Sequence, residues 1–383
     1  MGRSTVFALV ATAFLCGTLA APAGAETTKT TIATVDAETP ISAGDGWLVW
    51  SVPVAGGWAL DAYHHGTVSQ LPVATRPQPF DASVGTNAAG APVVTFSRCP
   101  RTPTMRDVGE TQVKGGALLE PRSGTGCRIH VLTFSSEHET RPAIPDPAGT
   151  SDTTPAMWHG QVTFARRAPG HGQVWQIMSW LPQTPRRVVT LRHGAIPSRC
   201  PGESGDCTRP AHGEVEALAR NGQIVTFLWH VESPGVIGEG AWEVRVDQLA
   251  SGRSSLAAAG FGHEACTGPL APGELEYVWP EPPVAASRTV LFAQLEGFDC
   301  FTGFGSVLGS YLAGAERASS GKFANTVLGL AKEGSTLYAL VPGPAPAGAD
   351  SPSCAPTDPC SLERVTEPTL TLQPAAPTPP FSE

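Results

Sequence analysis

The chain has 383 residues and a formal charge of −9, with 15% of positions charged and 41% hydrophobic. That balance excludes a nucleic-acid or anionic-membrane surface, which needs a basic face, and the apolar share excludes global disorder. Glycine at 42 positions and proline at 37 predict many turns and little exposed helix.

The first residues, MGRSTVFALVATAFLCGTLAAPAGAE, place Arg3 before an apolar run from Val6 to Ala20 and end it with Ala23-Gly24-Ala25. This is the order of a secretory signal over residues 1–25, with cleavage after Ala25 and a mature chain starting at Glu26. The run is too short to span a bilayer comfortably. Cys16 follows Leu15 where a lipid anchor wants a small residue, so no lipidation is expected. No later segment is apolar enough for a membrane helix, and the expectation is a secreted or extracytoplasmic protein without membrane insertion.

Beyond Glu26 the chain repeats one phrase. Apolar runs begin after polar or glycine-bearing turns at Trp47 (WLVWSV), Pro92 (PVVTFS), Gln161 (QVTFAR), Gln223 (QIVTFLW), Thr289 (TVLFAQL) and Ser335 (STLYALV). Each has the length and the Val, Thr, Phe and Leu content of a strand. A second run follows each: WALDAYHHG, CRIHVLTF, QVWQIMSW, AWEVRVDQL, SVLGSYLAG and CSLERVT. Third runs such as TVSQLPV, RRVVTLR and RSSLAAAG, and preceding ones such as PAMWH and EVEALAR, complete units of four strands. AERASSGKFANTVLGLAKEG comes nearest to helical periodicity, and its glycines interrupt it.

Six units of four short strands predict an all-β chain folded as a β-propeller of six four-stranded blades, in one domain over residues 26–375. A blade has two apolar faces that it cannot bury alone, and a ring of blades covers both. Trp47, Trp50, Trp175, Trp229 and Trp242 alternate within strands, and most of them are expected between blades rather than as sugar-stacking platforms. Either TTKTTIATV near the start or PTLTLQP near the end can supply the outer strand of the last blade, which would remove a free edge. The tail AAPTPPFSE, over 376–383, reads as a disordered Pro-rich segment.

The segment ARNGQIVTFLWHVESPGVIGEGAWEVRVDQLASGRSSLA resembles the repeat of TolB-like six-bladed propellers. Asn221-Gly222-Gln223 stands at the family's polar turn and Asp247 at its strand-ending aspartate. The unit from Ala156 to Leu191 fits less fully, the Pro-Asp-Gly-Lys signature is never intact, and cysteine loops are not part of the pattern. The resemblance implies the fold and partner binding, and brings no catalytic residues.

Eight cysteines remain in the mature chain, and an even count in an exported protein predicts disulfides. Sequential pairing joins Cys99 to Cys127 across one hairpin, Cys200 to Cys207 around CPGESGDC, Cys266 to Cys300, and Cys354 to Cys360 in the last unit. It is one of many connectivities, favoured by local placement. A zinc site would need closely spaced ligand pairs, and C-x-x-C is absent.

Catalytic motifs are sparse. No H-E-x-x-H occurs and no Gly-x-Ser-x-Gly, and no cofactor or metal is expected. His64-His65 and the stretch Gly262-His263-Glu264-Ala265-Cys266 could be ligand clusters, but read more simply as strand-end and loop residues. Gly202-Glu203-Ser204-Gly205-Asp206 is a disulfide-bounded turn. Ser42-Ala43-Gly44-Asp45-Gly46-Trp47 resembles a sialidase Asp box, a structural turn whose spacing here is off. Asp61, Glu214, Glu216, Glu274 and Glu276 could meet across a ring as paired carboxylates, although no spacing selects a pair. The reading is therefore a secreted binding or scaffold propeller for a protein, glycan or small molecule. The alternative is an extracellular polysaccharide hydrolase or lyase with carboxylates at the channel mouth.

Overall fold

The computed structural model describes residues 30–100, 126–167, 175–182, 188–194, 212–232, 240–262, 277–280, 282–286, 288–297, 304–313, 315, 317–343 and 354–372. The regular elements among them are all strands. Residues 1–25, expected to be a signal, the Pro-rich tail over 376–383, and Cys200, Cys207, Cys266 and Cys300 lie outside these residues.

After β1 (Thr30–Val35), blade 1 is β2 (Ile41–Gly44), β3 (Trp47–Val54), β4 (Gly57–His64) and β5 (Thr67–Gln70). Blade 2 is β6 (Ser83–Thr86), β7 (Pro92–Arg98), β8 (Arg128–Thr133) and β9 (His138–Thr140). Blade 3 is β10 (Ser151–Trp158), β11 (Gln161–Arg167), β12 (Trp175–Trp180) and β13 (Val188–Gly194). Blade 4 is β14 (His212–Asn221), β15 (Ile224–Glu232), β16 (Gly240–Gln248) and β17 (Arg253–Gly262). A short β18 (Tyr277–Pro280) leads into blade 5, formed by β19 (Val284–Ala286), β20 (Thr289–Gly297), β21 (Phe304–Leu312) and β22 (Arg317–Lys322). Blade 6 is β23 (Gly329–Glu333), β24 (Thr336–Val341) and β25 (Cys360–Val365), and β26 (Thr371–Leu372) follows it.

The ring is a six-bladed β-propeller, and each blade is an antiparallel meander. The runs expected from Trp47, Pro92, Gln161, Gln223, Thr289 and Ser335 become the second strand of each blade, from the inside outward. Their alternation explains the packing. Leu48 and Trp50 of β3 turn towards blade 6, where they meet Tyr338, Leu340 and Leu362, while Val49 turns towards Phe80, Val94 and Phe96 of blade 2. Val162 and Phe164 face Val93 and Ile129 of blade 2, and Ala165 faces Val225, Phe227 and Trp229 of blade 4. Ile224 and Leu228 meet Val290 and Phe292, and Leu291 and Ala293 meet Leu337 and Ala339. Six apolar clusters thus fill six seams, and no blade carries a core of its own. Trp50, Trp175 and Trp229 are buried in these seams, as their alternation predicts.

Closure is settled by β1. It pairs with β25, placing Thr30 opposite Arg364 and Val35 opposite Cys360, and becomes the outer strand of blade 6. The C-terminal candidate goes elsewhere, because β26 pairs with β22 of blade 5. Blades 4 and 5 are also stitched together: β18 bonds to the end of β17 on one side and to β20 on the other. Prolines at 280, 282 and 283 explain why β18 and β19 remain separate along the edge of β20, since proline has no N–H to donate to the ladder.

Two buried ion pairs bolt the first three blades. Arg166 grips Asp152 through Nε and Nη2 at 2.6 and 2.7 Å. Arg76 donates to Asp81 Oδ1 at 3.2 Å and to the carbonyls of Ser97 and Pro79, with its guanidinium 4.4 Å from the Phe80 ring centre. Each arginine also donates to backbone carbonyls, Arg166 Nη2 to that of Pro145 at 2.8 Å, and such bonds are what make a buried charge tolerable.

Candidate central-channel site

The innermost strands β2, β6, β10, β14, β19 and β23 ring a central channel with a cavity volume of about 390 Å³. The meander makes its two mouths unlike. First-to-second and third-to-fourth strand turns gather at one mouth. Second-to-third strand connections and the links between blades gather at the other.

At the turn mouth the inner hairpins are tight. Gly44 pairs with Trp47, and Trp158 with Gln161, around two-residue turns. Asp45-Gly46 has φ of 49° and 81°, and His159-Gly160 has 46° and 78°, the pair of left-handed residues that a type I′ hairpin needs. These turns latch neighbouring blades. Gly46 N donates to Glu333 Oε1 across the blade 6–1 seam, Val84 N to Ser42 Oγ at 3.0 Å across blades 1–2, and Gly160 N to Thr86 O at 2.8 Å across blades 2–3. His64 and Phe134 stack on opposite sides of Trp47, each 3.9 Å between ring centres. His64 is held below its ordinary pKa by burial first and by His65 second, against the pull of Glu333. His64-His65 is thus a hairpin end that seals a seam. No group of three or more histidines, cysteines or carboxylates that could hold a metal occurs among the described residues.

At the loop mouth β3 and β4 join through the two-residue turn Ala55-Gly56, the described links from β5 to β6 and from β9 to β10 are longer, and two connections carry disulfides. Cys99 bonds Cys127 between β7 and β8, and Cys354 bonds Cys360 between β24 and β25. Both are pairings expected from placement in the sequence. Cys127 is anchored further, its N–H donating to Ser151 Oγ at 3.1 Å and its carbonyl accepting from Asp152 N at 3.0 Å. Cys200 with Cys207 and Cys266 with Cys300 lie outside the described residues, as do Glu274 and Glu276 and the two loops from Gly202 and from His263.

Asp61 sits in the middle of β4, opposite Trp50 and Gln70, and is absent from the channel wall. Burial raises its pKa. Glu214 and Glu216 lie on β14, and Glu216 lines the channel.

Several channel residues escaped the sequence reading. Asp81, at the entrance to β6, is consumed structurally: Oδ1 accepts from Arg76 and from Ser97 N at 2.9 Å, and Oδ2 from Thr154 N at 2.8 Å. Arg220, beside the turn at Asn221-Gly222, was visible only as a member of the repeat. Nothing in a lone Arg before Asn-Gly signals that it will line a channel.

No protein family matches the sequence, and no curated protein does. Solved structures of similar shape have low identity to the chain. TolB from Acinetobacter baumannii is 7% identical with a TM-score of 0.37, over 82% of this chain and 61% of that one, so this chain spans less than two thirds of TolB's length. An ulvan lyase of polysaccharide lyase family PL25 is 11% identical, TM-score 0.46, over 83% and 81% of the two chains. The GH93 α-L-arabinofuranosidase of Fusarium graminearum, in complex with arabinobiose, is 10% identical, TM-score 0.45, over 88% and 98%. The six-bladed β-propeller itself rests on the strand order of this chain.

Proposed function

We propose that this chain is an exported binding module. In this reading residues 1–25 direct export and are removed, and the propeller presents a protein or glycan partner with the loop mouth of its ring. The carrying observation is the asymmetry of the mouths. One closes with short latched turns, while the other bears both described disulfides on connections that leave a rigid ring. Rigid scaffolds that hold braced, irregular loops at one face are the usual arrangement for recognition. Disulfides are themselves features of oxidising compartments, which fits export.

The test is an array of glycans and peptides probed with the chain starting at Glu26, followed by two variants. In one, the segment between Cys99 and Cys127 is replaced by a short Gly/Ser linker. In the other, the turn mouth is altered by His65→Ala. Loss of binding with the loop variant alone supports the reading. Unchanged binding in the loop variant, or turnover of a polysaccharide without retained binding, overturns it.

A further inference from the structure

Arg220 lines the channel at the end of β14 and reaches across the seam to blade 3. Its Nη2 donates to Gln161 Oε1 at 2.5 Å and its Nη1 to Thr163 Oγ1 at 2.8 Å, with Ser179 Oγ 3.5 Å away. Nε donates to the carbonyl of Gly222 at 3.1 Å. Every one of these acceptors is uncharged. Arg76, Arg98, Arg128, Arg166 and Arg245 each meet a carboxylate, and Arg220 meets none among the described residues. Burial draws its pKa down to about 10, which still leaves it protonated at neutral pH. The result is a fixed positive charge, partly stripped of water, with a second N–H on Nη2 uncommitted. An uncompensated charge in such a place is unfavourable.

The neighbouring groups fit an anion. Asn221 also lines the channel, and its side-chain amide makes no hydrogen bond among the described residues. Trp158 and His159 line the adjacent stretch from blade 3. Asp45, Glu216 and Glu333 lie elsewhere on the wall. They do not neutralise Arg220, and they oppose entry of a ligand with several negative charges.

We propose that Arg220 and Asn221 form a binding site in the central channel for the carboxylate of a small, singly charged organic acid. The guanidinium supplies charge and the one uncommitted Nη2 N–H, a charge-assisted donor to one carboxylate oxygen, and the Asn221 amide supplies a donor for the other. The cavity of about 390 Å³ is of the size that takes a small-molecule ligand. The site is separate from the loop-mouth surface, so either can fail without the other.

Calorimetric titration of the chain starting at Glu26 tests this with gluconate and with sorbitol, which has the same carbon skeleton but no carboxylate. The runs are made at low ionic strength, and inorganic phosphate and sulfate form further arms. Gluconate should bind saturably and sorbitol should not. Arg220→Gln should weaken gluconate at least tenfold, and Asn221→Ala, which leaves the seam bonds of Arg220 intact, several-fold. Melting curves of both variants separate loss of the site from loss of the fold. Equal gluconate binding by wild type and a folded Arg220→Gln variant overturns the proposal. So does phosphate or sulfate binding with none for gluconate, or sorbitol binding as tightly as gluconate. The linker variant at Cys99–Cys127 should keep gluconate binding.

Discussion

The carboxylate of Asp81 holds the backbone N–H of Thr154 at 2.8 Å across the seam between blades 2 and 3. Thr154 has φ of 46°, a left-handed conformation unusual for a β-branched residue, and it falls at the register shift between β10 and β11. Asp81 meets Arg76 and Ser97 through its other oxygen. One side chain therefore joins the link between blades to the second strand of blade 2 and the first strand of blade 3.

Asp81→Ala should accordingly destabilise the ring by about 3 to 5 kcal/mol, the range for removing one partner of a buried ion pair. It leaves the Arg76 charge without its carboxylate and the Thr154 N–H without its acceptor. Urea denaturation gives the measurement, and a loss below about 1 kcal/mol would show that water replaces the carboxylate freely.

Glu38, between β1 and β2, is buried with Oε2 unpartnered, and burial raises its pKa from 4.5 to about 8. The folded chain then keeps a proton that the unfolded chain releases. This contribution to stability falls as pH rises from about 4.5 to about 8 and is level above that, by on the order of 5 kcal/mol at most. Glu38→Gln should melt higher than wild type at pH 8.5 and close to it at pH 4.5. Parallel melting curves for the two proteins across that window would contradict the assignment.

The second strands were legible because both of their faces are buried in seams, which leaves short, near-continuous apolar runs of strand length. Trp47, Pro92, Gln161 and Thr289 mark strand starts in the sequence and in the fold, while Gln223 and Ser335 fall one residue early. Of the inner strands, β10 and β14 were legible as PAMWH and EVEALAR, while β6 and β19 were not. β6 reads SVGT and β19 reads VAA, too short for a period and shaped by the close approach of blades rather than by amphipathicity. The ion pair of Arg76 with Asp81 was hidden for another reason: its residues lie in a Pro-rich link, ATRPQPFDAS, that reads as exposed loop until the ring buries it. Arg220 belongs to the same class, since the meaning of its charge depends on which carboxylates fail to reach it.

Gly85 tests how closely the inner strands meet. A Cβ there would lie 2.1 Å from the Met157 carbonyl oxygen and 2.9 Å from its carbon, backbone atoms that cannot rotate aside. Gly85→Ala should destabilise by about 1 to 3 kcal/mol, as overpacking does. Gly329→Ala, whose nearest contact would be 3.7 Å, should cost far less. Similar losses in thermal denaturation would refute the close contact of blades 2 and 3.

The disulfides should brace connections more than they support the ring. Closing a loop the length of that between Cys99 and Cys127 contributes about 3 to 4 kcal/mol in the chain-entropy account, which is model-dependent. After mild reduction, hydrogen exchange should rise at Arg98, Arg128 and residues 355–358, while Phe164, Phe227 and Leu340 stay protected. Loss of protection in those seam residues would mean that the cystines hold the propeller together.

Because β1 is the outer strand of blade 6, the first described residues of the chain pair with some of the last, Thr30 with Arg364. The order of synthesis therefore matters. A ribosome or translocation pore that releases the chain from its N-terminus delivers β1 at once and its partner only after five blades have passed. Through that interval β1 has no ladder, β25 has yet to appear, and the first face of blade 1 has no neighbour. Contacts so distant in sequence slow folding, so the ring can close only as a final event. A chain halted before Cys360 should remain an open, protease-sensitive arc, however many of its blades have already formed.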